Sequence, residues 1–167
     1  MFAVAFVVGL LAPLSARQPV NEAFQVFFDQ FKGVAGGTLF FFILFHNVMA
    51  SLLLVASGLL LGIIPILAIC SNGFILGVMY RHAAEMAGYS KAALKVLPHG
   101  IFEIPALLLA ASYGLWLGVT VVRRMRGKES TSLRVHIEHA FRRYFAVLFP
   151  LLIVAAGIET ALVLALQ

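Results

Sequence analysis

The sequence predicts an all-α fold: a polytopic bundle of about five transmembrane helices, with two amphipathic helices lying in the membrane interface. Three observations carry this. Of the 167 residues 62% are hydrophobic and 11% charged, at a mean hydropathy of +1.03, which is more apolar surface than one small globule can hide. The apolar residues fall into blocks near the roughly 20 residues that a helix needs to cross a hydrocarbon core. Lysines and arginines border those blocks instead of forming a soluble basic face, so the net charge of +5 points to a lipid bilayer with anionic headgroups and not to nucleic acid. The single cysteine, Cys70, lies within an apolar block and can build neither a disulfide framework nor a thiolate cluster within one chain.

The first block, residues 1–16 (MFAVAFVVGLLAPLSA), has the apolar core and small-residue end of a signal peptide but no basic flank. It is expected to be a retained first span. Gln18-Pro19-Val20-Asn21 ends it, and Asn21 can cap an amphipathic helix over 21–34. There Phe24, Phe27, Phe28 and Phe31 recur at helical spacing opposite Glu22, Gln25, Asp29 and Lys32. Such a helix is too short and too charged to cross, and belongs in the interface.

From Gly36 to Tyr80 the chain is almost continuously apolar, a run of about 65 Å as helix, twice the hydrocarbon thickness. It must fold back, and Ser57–Pro65 (SGLLLGIIP) supplies the glycines and proline for a turn. Spans two and three are therefore expected at 38–56 and 60–80. A polar connection follows over 81–97, with Gly88 dividing two short helical pieces and Ser90 able to cap the second. The fourth span, 98–122, begins near Pro98 and stops at RRMRGK, with Trp116 as an interfacial anchor. Residues 132–144 form the second amphipathic helix. Leu133, Ile137, Phe141 and Tyr144 make an apolar stripe there, while Arg134, Glu138 and Arg142 make i,i+4 charge pairs. The last span is expected at 145–167.

The connection before that span carries seven basic residues, Arg123, Arg124, Arg126, Lys128, Arg134, Arg142 and Arg143, against five on the other side (Arg17, Lys32, Arg81, Lys91, Lys95). The positive-inside rule therefore places the loop 123–144 in the cytoplasm of a cell bounded by the plasma membrane.

The polar residues inside the apolar blocks are the candidate site. A charged group in the bilayer costs at least about 2.5 kcal/mol even on lenient scales, so such groups face the bundle interior and find partners. His99 and Glu103 lie four apart on one helical face, and Pro105 frees the carbonyl of Ile101 as a further acceptor. His46 and Asn47, Asn72, and Glu159 with Thr160 come from other spans, and several of these groups are expected to converge. Asn47 and Asn72 read as interhelical hydrogen-bonding groups. His99 with Glu103 reads either as structural polar glue or as a proton or cation site. One histidine and one carboxylate do not complete a catalytic zinc site unless His46 or Glu159 supplies a third ligand, which leaves metal binding open. His136 and His139 are expected to be solvated. Three small-residue pairs, Gly58/Gly62, Gly73/Gly77 and Gly114/Gly118, allow close helix approach, within one chain or in a homo-oligomer. With no G-x-S-x-G elbow and no glycine-rich phosphate loop, the sequence calls for no cofactor and argues against an enzyme.

Residues 40–80 (FFFILFHNVMASLLLVASGLLLGIIPILAICSNGFILGVMY), followed by LPHGIFEIPALLLAASYGLWLG, resemble the stage II sporulation protein M family of small multi-pass membrane proteins. The most specific elements are the P-H-G-x-x-E-x-P run from Pro98 to Pro105 and Asn72-Gly73 with Gly77. Where the family often has paired asparagines, this chain has His46-Asn47. The resemblance implies a scaffold that joins envelope-remodelling partners, acting on peptidoglycan in spore-forming members. The expected function is thus a non-enzymatic membrane scaffold that recruits partners or shapes the membrane. The alternative is a small proton or cation channel or transporter built on the intramembrane polar cluster.

Overall fold

The computed structural model describes residues 1–29 and 34–166; for residues 24, 25, 27–29, 94–102 and 166 it describes the backbone alone. Every regular element among them is helical. The elements are α1 (Phe2–Leu11), α2 (Leu14–Asp29), α3 (Gly36–Ser57), α4 (Ile63–Ala87), α5 (Tyr89–Met125), α6 (Leu133–Arg143), a π-helical turn (Tyr144–Leu148) and α7 (Phe149–Leu166). Four helical stretches are long and apolar enough to cross a membrane: α3, α4, the Glu103–Met125 part of α5, and Leu133–Ala165. The pair α1 and α2 makes a fifth if its bend of 107° is counted within one span.

That bend has a local cause. Ala12 precedes Pro13, whose ring disfavours helical geometry in the residue before it, and Ala12 is extended at φ −61°, ψ 139°. The carbonyl of Pro13 then accepts from the amides of Ala16 and Arg17 and starts α2. The break expected at Gln18–Asn21 thus falls earlier, and Pro19 and Asn21 lie inside α2. The aromatic stripe expected in this helix, Phe24, Phe27, Phe28 and Phe31, lies outside the described side chains.

The fold-back between α3 and α4 occupies Gly58–Gly62. Leu61 and Gly62 are both left-handed there, at φ 60° and 75°, a conformation that is free for glycine and costs about 1 kcal/mol for leucine. From Ile63 to Tyr80, α4 rises about 27 Å, one hydrocarbon thickness. The polar connection that follows is itself helical. It breaks at Gly88 alone, where φ is 86°, and α5 starts at Tyr89, so Pro98 and Pro105 both fall inside its 37 residues.

α1 packs against α4. A Cβ added at Gly73 would sit 2.6 Å from the carbonyl oxygen of Phe2, and one at Gly77 would collide with that of Phe6. The two helices therefore run in the same direction, and α1, about 15 Å long, covers only the middle of α4, around Gly73 and Gly77. A second glycine seam joins the turn to α5: a Cβ at Gly58 would overlap the backbone of Gly114, and one at Gly118 would collide with the amide nitrogen of Gly62. Between these seams lies the core, built from Leu54 and Val55 of α3, Ile69 of α4, Ala106, Ala110, Ala111 and Leu117 of α5, and Ala140, Tyr144, Leu148 and Leu152 of the last run. The alanines of α5 keep the helices close, since association in lipid relies on packing and not on expelling water. Phe41, Phe45, Leu53 and Leu67 stay exposed, as lipid-facing side chains do.

Candidate functional site: polar groups in the bundle

Three described residues, Asn47, Ser51 and Tyr144, meet in a polar node between helices in the interior of the bundle. Ser51 on α3 donates to the carbonyl of its helical neighbour Asn47 at 2.7 Å, and its oxygen lies 2.8 Å from the hydroxyl of Tyr144. With the Ser51 hydrogen on Asn47, the Tyr144 hydroxyl donates to Ser51 and has the carbonyl of Val48, at 3.2 Å, as its second acceptor. Tyr144 is fully buried and Asn47 and Ser51 nearly so. The node lies near the middle of α3 and ties it to the π turn. A buried tyrosine hydroxyl must find a partner, and Ser51 sits one helical turn beyond the predicted Asn47, a pairing that the sequence reading missed.

The other buried hydroxyls close on their own helices. Thr160 donates to Ala156 at 2.7 Å and Thr120 to Trp116 at 2.9 Å, the short-range bonding by which such residues satisfy themselves in helices. Glu103 and Glu159 are half-buried; His46 is exposed on α3, its ring stacked on Phe42 at 6.3 Å between centroids. Asn72 is exposed on α4 and donates to the carbonyl of Ala68 at 2.9 Å. The side chains of Pro98 and His99 lie outside those described.

A charged cluster closes one end of the bundle. Arg17 of α2 spans both carboxylate oxygens of Glu85 at 2.9 and 3.0 Å, and Arg81 Nε reaches Glu85 Oε1 at 2.7 Å. Arg17 meets the carboxylate through one terminal nitrogen, Nη1, and Arg81 through its Nε, so both guanidinium groups make charge-assisted bonds to it. The Arg17 side chain is 12% exposed and its Nε is buried without a hydrogen-bond partner among the described residues. The cluster fixes α2 beside the end of α4, just where α1 delivers the chain. At the opposite end Trp116 of α5 lies against two histidines of α6, 5.2 Å from His136 and 5.8 Å from His139 between ring centroids. His136 is half-buried rather than solvated, and its Nδ1 is 3.1 Å from the carbonyl of Ser132. In the loop between α5 and α6 the Thr131 amide donates to Glu129 at 3.1 Å, and this bond holds the Glu129 carboxyl below the usual glutamate range.

The family model described as Stage II sporulation protein M matches residues 1–163 of this chain. The chain belongs to that family. Two uncharacterized proteins of Methanocaldococcus jannaschii are similar to it. MJ0706 is 44% identical over 64 residues, covering 38% of this chain and 28% of the relative. MJ0793 is 28% identical over 118 residues, covering 70% of this chain and 66% of the relative. The chain thus spans less than two thirds of the length of either. No solved structure matches it. Of the motif residues that resemble the stage II sporulation M family, Gly73 and Gly77 receive the backbone of α1. Asn72 turns to the outside of α4, and Glu103 is half-buried in α5. Family membership and the apolar helices together make this a membrane protein.

Proposed function

We propose that this member of the stage II sporulation M family is a non-enzymatic scaffold of the plasma membrane, which recruits other membrane or envelope-remodelling proteins through α6 and the basic segment before it. The observation that carries this reading is a contrast in how polar groups are used. Inside the bundle, the described hydroxyls of Ser51, Tyr144, Thr120 and Thr160 are spent on backbone carbonyls and on one another, those of Ser51 and Tyr144 between helices and those of Thr120 and Thr160 within their own. On α6, by contrast, Arg134 and Glu138 pair with each other at 2.7 Å at the surface, their side chains 85% and 61% exposed, and Val135 lies open beside them.

The surplus of basic residues on this side supports a cytoplasmic placement for 123–144, where headgroups are anionic and each nearby lysine or arginine adds about 1 kcal/mol of attraction. A photo-reactive residue at Val135 in native membranes should form adducts with discrete proteins, whereas one at lipid-facing Leu53 should not. Arg134→Glu should weaken capture, and Glu103→Gln should leave it intact. Equal labelling from Val135 and Leu53, or capture indifferent to Arg134→Glu, would overturn the proposal.

A further inference from the structure

We propose that the outer face of α4, centred on Asn72 and Ser71, docks a second copy of this chain. Asn72 stands about 13 Å along the helix from Arg81 and about 15 Å from the Gly62 turn, which puts it near the middle of a hydrocarbon layer about 30 Å thick. Its carboxamide is exposed, and its hydrogen bond among the described residues uses one N–H on the carbonyl of Ala68. The second N–H and the oxygen face a medium that offers neither donor nor acceptor, and unmet polar groups are costly there.

An identical helix related by a two-fold axis along the membrane normal answers this without further assumption. It brings an Asn72 to the same depth, and each carboxamide offers what the other lacks, as an isologous contact requires. The surroundings suit close approach: Ala68 and exposed Ser71 are small, and Ile64, Leu67 and Ile75 flank them with open apolar surface. The glycine faces are not available for this, because α1 occupies Gly73 and Gly77 and α5 occupies Gly58 and Gly62. Beside Ser71 and Ile75 an open recess of about 750 Å³ runs between α4 and α1, floored by Val4, Cys70 and Phe74, and it receives apolar side chains of the second copy. The face carries no charge, which disfavours an ionic partner.

The test uses the full chain in liposomes, with its one cysteine removed by Cys70→Ala. Under mild oxidation, Ser71→Cys should form disulfide-linked dimers at least fivefold more than Phe45→Cys, an exposed position at similar depth on α3. Labelled protein diluted in lipid should self-associate about tenfold more weakly with Asn72→Leu, the loss expected for a few modest interhelical hydrogen bonds. Asn72→Gln should retain most of it. Because Asn72 is exposed, Asn72→Leu should keep its helical circular dichroism. Crosslinking of Ser71→Cys no greater than that of Phe45→Cys would overturn the proposal. So would a chain that stays monomeric at every dilution with acyl chains in the recess, or association unaltered by Asn72→Leu.

Discussion

Removing the hydroxyl of Tyr144 tests whether the buried node is structural. In Tyr144→Phe the ring keeps its packing, and the deleted oxygen is the one 2.8 Å from Ser51 and 3.2 Å from the carbonyl of Val48. Neither group is stranded, since Ser51 still donates to Asn47 at 2.7 Å. The cost should therefore sit near the value for a net hydrogen bond, about 1 kcal/mol, and not near that for an orphaned buried group. Ser51→Ala likewise leaves Tyr144 its bond to Val48 and should cost about as much. The pairwise coupling from the double mutant should be about 0.6 kcal/mol and below about 1.7 kcal/mol, the range seen for hydrogen bonds between membrane helices. Tyr144→Ala, which empties a fully buried site, should cost about 3–5 kcal/mol. Reversible unfolding in lipid or mixed micelles reads all four variants. A coupling of zero, or Tyr144→Phe as damaging as Tyr144→Ala, would refute this account of the node.

The glycine seams and the α5–α6 loop give two further expectations. Gly58→Ala and Gly77→Ala each push a methyl group into opposing backbone and should destabilise by about 1–3 kcal/mol in the same unfolding assay, whereas Gly37→Ala, with nothing within 4 Å, should be close to neutral. Glu129 has its native pKa lowered chiefly by the Thr131 amide. Its contribution to loop order is therefore complete above the ordinary glutamate value of 4.5 and is lost as pH falls through the lower native value. Exchange of the Thr131 amide should accelerate over that acidic interval in the native chain and show no such step in Glu129→Gln.

The membrane class and the helix inventory were legible because hydropathy records them directly, and the fold-back at Gly58–Gly62 because a run twice the bilayer thickness must turn where glycine allows it. The glycine spacings announced close approach but not partners, since G-x-x-x-G describes one surface and says nothing of the other. The helix breaks were harder to place. Pro13 and Gly88 set them, through a steric veto on Ala12 and a positive-φ conformation open to glycine, whereas Pro98 and Asn21 carry equally strong textual signals and lie inside helices. The Arg17–Glu85 pair was beyond reach for another reason. It joins residues 68 apart and exists only because α1 runs parallel to α4 along its middle, a topological choice that no local pattern encodes. The Tyr144 node was within reach: Asn47 and Ser51 share a helical face, and a tyrosine in an apolar stripe demands a hydroxyl partner.

The π turn explains why that partner lies on α3. From α6 into α7 every fourth residue is buried: Ala140, Tyr144 and Leu148 at 0%, Leu152 at 2%, Ala156 at 0% and Thr160 at 8%. In a straight α-helix a four-residue step drifts by about 40°, so five steps would carry the last position roughly 200° around the axis and out of the core. Within Tyr144–Leu148 the wider i→i+5 turn takes back part of that rotation, and the rest moves the buried face around the bundle. One helix thus leaves the Trp116 end packed on α5 and reaches the other end packed on both α3 and α5. The residue that opens the π turn is the one that must bridge from one neighbour to the next. That residue is Tyr144, and its hydroxyl meets Ser51 at this crossing because the irregular turn aims it there.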